Sequence, residues 1–286
     1  MKHEDIIIST GKKTATLPNS WRGMTPGVFR RYVANMLMLY AGTMTETDVK
    51  VRYVLDVMGW RAERLSEDGI ANVVALANRI TFLFTSQGDG TIVPDLNFMA
   101  QMVPVVKVGT TEYKGYEVST AFCSLTTTLT ALQYIEARQL MQGGEAQLPL
   151  LAAVLYCPGD YDSARAQRLA TEMARLDRVT LAAIQMNFVA FDRALYTQTD
   201  FSLLAKFQPK KQSPIATDMA DALYDLSADG LGTHQDVERM NLLTYLRIMR
   251  KKTIEAVRQM RSMEWDVARI SQETTLPVAV IHQIID

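Results

Sequence analysis

The chain has 286 residues, 48% of them hydrophobic, with 30 basic against 31 acidic side chains and a net charge of −1. This is an ordinary globular composition, long enough for one large domain or two smaller ones with a sizeable core. Near-neutrality excludes a molecule-wide field for nucleic acid, so any such binding needs a local patch.

Two cysteines, Cys123 and Cys157, lack metal-ligand spacing and are expected as buried, reduced thiols. The opening MKHEDIII carries acids before a short apolar run, too brief for a signal-peptide core, so a cytoplasmic origin is expected. Sixteen methionines suit irregular cores or adaptable surfaces, with the core favoured.

In chain order, residues 6–9 and 14–17 are short β-prone runs around Thr10-Gly11-Lys12-Lys13, which predicts a small hairpin ended by Pro18. Asn19 or Ser20 can cap the next segment, and Trp21 is a large ring suited to anchor the junction. Thr25 and Pro26 open a helix with Phe29, Val33, Met36, Leu37 and Tyr40 on one face, ending near Gly42. Thr45-Glu46-Thr47-Asp48 starts a second helix, striped by Val51, Val54, Leu55 and Met58 and closed by Gly59. Ser66-Glu67-Asp68 opens a third, with Ile70, Val73, Val74, Ala77, Ile80 and Phe84 as its apolar face. Residues 86–117 change texture: repeated glycine and proline interrupt Val103, Val105, Val106 and Val108, predicting an extended linker and a hairpin.

The stretch 124–158 is the one around which the chain is arranged. Leu125, Leu129, Leu132, Ile135, Ala137 and Leu140 predict a half-buried helix with Gln133, Glu136 and Arg138 turned away. Gly143-Gly144 lets the chain reverse into LPLLAAVLY, nine uncharged residues and the expected most buried segment. Nine residues fall well short of the ~20 that cross a bilayer. After a turn at Pro158-Gly159-Asp160, Ser163 is expected to cap a helix, and residues 179–196 form another with Leu181, Ala182, Ile184, Phe188, Phe191 and Leu195 facing the core. FQPKKQSP at 207–214 reads as a linker, 216–226 as a helix, and Thr233 as the cap of one long helix to about Met263.

Chemistry is hard to find. His3, His234 and His282 are not paired at helix spacing, and Gly88-Asp89-Gly90 lacks the rest of a phosphate loop. The His234, Asp236, Glu238 group is what a helix N-terminus favours, so capping outweighs catalysis. No catalytic, cofactor or metal residue is assigned. Arg247, Arg250, Lys251, Arg258 and Arg261 fall within about a 100° arc of a helix, a basic stripe whose bland reading is a solvated face. The tail has a helix-turn-helix outline, with Val267 and Ile270, a turn at Thr274-Thr275-Leu276, then Pro277, Val280, Ile281 and Ile284. Its second helix offers Ala279, His282 and Gln283 but no Arg or Lys, which favours packing or docking over base readout.

Three segments carry a family resemblance: LPNSW followed by MTPGVF, SLTTTLTALQYIEARQL with LPLLAAVLYCP, and DGLGTHQDVERMNLLTYL. In these the chain resembles proteins encoded beside tail genes in phages and prophages of Bacteroides-like bacteria. Cys157 stands where that family tends to have arginine, and Leu231 where it has phenylalanine. The resemblance implies tail assembly without catalysis, as a tape-measure chaperone or a minor virion component, in the host cytoplasm or the particle. It implies tail proteins as partners, with the tape-measure protein among the candidates; a homo-oligomer is left open, because the sequence does not give the oligomeric state. The alternative is a nucleic-acid-binding accessory protein using the basic stripe and the helix-turn-helix-like tail.

The expected fold is mainly α, a multi-helix body with an N-terminal β-hairpin and an extended segment at 86–117. The expected sections are 1–85, 86–117, 118–207, 208–262 and 263–286. Residues singled out for contact with a partner are Trp21, Phe29, Arg247, Arg250, Lys251, Arg258 and Arg261.

Overall fold

A computed structural model describes residues 4–10, 13–206, 226–227, 230 and 232–285. The turn at 11–12, the 207–214 segment and all of the 216–226 helix except Leu226 lie outside them. The described chain is mainly α, with four two-stranded antiparallel ribbons.

The first ribbon pairs β1 (Ile6–Thr10) with β2 (Lys13–Leu17), Ile6 opposite Leu17. Side-chain alternation buries Ile6 and Leu17 and leaves Ile7 outside. Three helices come next: α1 (Pro26–Tyr40), α2 (Glu46–Met58) and α3 (Glu67–Asn78). Thr25 caps α1 through the Val28 amide, with Pro26 at its first position. Thr45 and Asp48 form a reciprocal capping box on α2, which ends at Gly59 in the left-handed region (φ 65°).

The third helix stops before Ile80 and Phe84, which the sequence placed on its face. Asn19 is the cause: its Oδ1 accepts from the Thr81 amide at 3.0 Å and its amide donates to the Arg79 carbonyl. Ile80 is therefore buried beyond the helix end, Phe84 lies on β3 (Phe84–Ser86), and Ile70 faces out.

Beyond β3, ribbons join β3 to β4 (Ile92–Pro94) and β5 (Val105–Val108) to β6 (Thr111–Lys114). Between β4 and β5 the chain is irregular yet anchored. Trp21 Nε1 donates to the Asp95 carbonyl at 2.8 Å, and Asn187, 2% exposed, accepts from the Met102 amide and donates to the Ala100 carbonyl. Leu96, Phe98 and Met102 are buried. Side chains here satisfy backbone groups that a strand partner would otherwise hold, so this part of 86–117 is packed.

A fourth ribbon, β7 (Val118–Ser119) with β8 (Thr126–Thr127), precedes α4 (Ala131–Leu140). The helix expected from 124 thus begins seven residues later. Threonine hydroxyls explain the delay by taking backbone amides: Thr128 Oγ1 that of Glu117, Thr127 Oγ1 that of Leu129, and Thr130 Oγ1 that of Gln133 as N-cap.

Next come α5 (Leu148–Leu155), α6 (Ser163–Met173), α7 (Arg178–Thr197) and the short α8 (Ser202–Lys206). As expected, Leu148 and every residue from Leu151 to Tyr156 are buried. The cap of α6 is Asp162 rather than Ser163, whose hydroxyl instead donates to Glu136.

The expected long terminal helix is two, α9 (His234–Glu238) and α10 (Leu242–Ser262). Asn241 interrupts it by pairing with Thr130: Ala131 N donates to the Met240 carbonyl at 2.8 Å and Leu242 N to the Leu129 carbonyl at 2.9 Å. Its side chain then caps α10. The chain closes with α11 (Val267–Thr274), a left-handed Thr275, and α12 (Val278–Ile285).

Three apolar clusters result. The N-terminal one gathers Trp21, Phe29, Tyr32, Tyr53, Phe82 and Phe98, with Trp21 edge-on to Phe82 at 5.1 Å. The central one is built on α4, α5 and α6 and reaches the start of α10. Helix α7 serves both, giving Ala182, Ala183, Met186 and Ala190 to the first and Ile184, Phe188, Phe191 and Leu195 to the second. The small alanines let α1 approach closely. A third cluster joins Val257, Ile270, Leu276, Ile281 and Ile284 to Leu203 of α8.

Candidate functional site

The residues singled out for partner contact separate in the fold. Trp21 is 8% exposed and Phe29 fully buried, so both hold the N-terminal cluster together and neither is open to a partner. The basic stripe stays on the surface of α10, but its guanidinium groups are drawn to local carbonyls. Arg250 Nε donates to Asp200 O at 3.1 Å, Arg258 Nε to Ile284 O at 3.2 Å, and Arg261 to Trp265 O. Lys251 lies 3.7 Å from Glu255. Arg247 is exposed. Helix termini leave carbonyls without partners, and Arg258 satisfies one such group at the end of α12.

The polar face expected to turn away on α4 is engaged instead. Gln133 is buried and donates to the Val154 carbonyl at 2.7 Å. In a continuing helix that carbonyl would accept from residue 158, which is proline and has no N–H. Glu136 accepts from the hydroxyls of Tyr161 and Ser163. Arg138 lies 3.2 Å from Asp192, whose carboxylate also accepts from Tyr134 at 2.5 Å, and its guanidinium stacks over the Tyr134 and Tyr196 rings. Burial pushes the Tyr134 and Tyr196 phenols up, and Tyr245 to about 12. All three hydroxyls stay protonated at neutral pH, and those of Tyr134 and Tyr196 tie α4 to α7.

Four open clefts succeed one another along the central body. Their volumes are about 520, 350, 190 and 240 Å³, and each shares lining residues with the next. The largest lies between the β5–β6 and β7–β8 ribbons, with Pro104, Val105, Lys114, Glu117, Val118 and Thr126 on its walls. Cys157 lines the second, and burial raises its thiol above the ordinary range, which leaves it a poor nucleophile at neutral pH. Among the described residues no three His, Cys, Asp or Glu side chains gather as a metal site. No described helix is long and apolar enough to cross a membrane.

At the rim of the largest cleft is a feature that residue patterning did not reveal. The loop at 120–125 between β7 and β8 carries Phe122, whose side chain is fully exposed at 101%. Phe122 (φ 53°, ψ 33°) and Cys123 (φ 56°) both occupy the left-handed region. For residues with a Cβ this costs on the order of 1–3 kcal/mol each. Val118 and Leu125 pack against the central cluster and fix the base of the loop, while its tip stands clear. Cys123, expected as buried, is exposed, and both cysteines are free thiols. The one signal in the sequence was the absence of charge from Val118 to Ile135.

The chain matches no family model, no curated protein and no solved structure.

Proposed function

We propose that this chain is a non-enzymatic protein of phage or prophage tail assembly that works by holding other proteins. The contact role is supported by one observation: a fully exposed phenylalanine on a loop whose backbone is held in a costly conformation. An aromatic ring presented this way is the anchor type that dominates protein interfaces. The link to tails comes from the three segments that resemble tail-associated proteins. In those segments Leu17 and Trp21 fill the N-terminal cluster, Leu148 and residues 151–156 the central one, and Thr233 with Asp236 caps α9, so the shared residues are those that shape the fold.

The test is co-expression with the tail-tube and tape-measure proteins encoded in the same genome, followed by affinity capture of the tagged chain. The expected result is recovery of one of those components, and defective tails when the gene is removed. Normal tails without the gene, together with no recovered tail component, would overturn the reading.

A further inference from the structure

We propose that the protein forms a twofold dimer in which Phe122 of each copy enters the cleft between the β5–β6 and β7–β8 ribbons of the other. A twofold contact uses one patch twice, so knob and hole must lie on the same patch. Here a single hairpin supplies both: its tip carries Phe122, and its base, Val118, Ser119, Thr126 and Thr127, forms one wall of the cleft. The ring does not fold back into the molecule's own cleft, since it is fully exposed. At about 520 Å³ the cleft exceeds the ~150 Å³ in which a benzene-sized ring is held in a protein. Val105, 43% exposed on its other wall, offers the apolar contact.

Charge points to the same occupant. Two identical faces brought together set like against like, which only a neutral or self-complementary patch tolerates. The run from Val118 to Ile135 carries no charge. The charged residues on the cleft wall are Lys114 and Glu117, one of each sign, both exposed and neither in an ion pair among the described residues. A twofold axis can set Lys114 of one copy against Glu117 of the other. A lipid surface is the poorer match, because membrane-binding segments combine several apolar groups with a cluster of cations.

A Phe122 seated in a second copy is covered there, so in the dimer a tail component is held by another surface; because the oligomeric state is read on the chain alone, the dimer can fail while the tail reading stands, and the reverse. The experiment is sedimentation equilibrium of the full chain under reducing conditions, up to roughly 0.1 mM, well above the dissociation constants of specific interfaces. The expected result is a concentration-dependent dimer. Phe122→Asp and Val105→Glu should each raise the dissociation constant at least about thirtyfold, whereas Phe122→Tyr keeps the dimer. Far-UV circular dichroism should match the native chain, because both altered side chains are outside the core. Maleimide should modify Cys123 more slowly in the dimer than in Phe122→Asp. A native chain that stays monomeric, a dimer that survives Phe122→Asp, or one lost with Phe122→Asp but untouched by Val105→Glu would each overturn the proposal.

Discussion

Two single side chains show how closely the central body is fitted. Gln133 donates to a carbonyl that Pro158 cannot reach with an N–H, so Gln133→Leu leaves the buried Val154 oxygen short of a donor. The expected loss is about 1–3 kcal/mol, read as a lower urea midpoint with an unchanged slope. Gly115 is the second. A Cβ there would sit 2.9 Å from the Tyr156 ring, whose hydroxyl is tied to the Val103 carbonyl and which has no room to swing away. Gly115→Ala should cost about 1–3 kcal/mol by overpacking, checked by the same titration. Neither role was legible in the sequence. Periodicity put Gln133 on the outer face of α4, and only the arrival of the last turn of α5 beside it turned that face inward.

At the scale of elements, helix starts were the best-read feature. Thr25, Thr45, Ser66 and Thr233 cap where the sequence placed them, because a cap is decided by residues three positions apart. The capping boxes also set a pH dependence. The backbone amide and hydroxyl of Thr45 hold the Asp48 carboxyl below its ordinary range, and the hydroxyl and amide of Thr233 do the same for Asp236. A carboxyl depressed in the folded state stabilises the fold above its unfolded pKa, and that stabilisation disappears as pH falls through the folded value. Asp48→Asn should therefore lower stability at pH 7, and the gap to the native chain should narrow as pH falls below the ordinary carboxylate value of about 4, measured by urea unfolding across that interval. Helix ends were read less well. The stops of α3 and α9 are imposed from elsewhere, by Asn19 on residues 79–81 and by Thr130 on Asn241.

For the whole molecule, α7 is the shared wall. Its alanine face closes the N-terminal cluster and its aromatic face the central one, so these two parts should unfold together. The terminal unit is different: its cluster has six buried residues, and only Leu203 among them comes from before α10. A small core of this kind opens at a lower free energy than the body it is attached to. Hydrogen exchange should show α11 and α12 losing protection before α5 and α7. Leu276→Ala should widen that gap by about 2–5 kcal/mol without changing exchange in α1 or α2. Equal protection across all of these helices would show one cooperative unit instead.

The sequence by itself determined the helical class, the N-terminal hairpin, the capped starts, the buried 148–156 run and the two-helix tail, because periodicity, capping and turn chemistry act over a few neighbouring residues. Tertiary structure alone decided which polar side chains became internal ties, that the irregular stretch before β5 is packed by Trp21 and Asn187, and that Trp21 and Phe29 lie inside while Phe122 stands outside. Those outcomes depend on groups many residues apart meeting in space, and a residue's type does not reveal which distant backbone atom will need it.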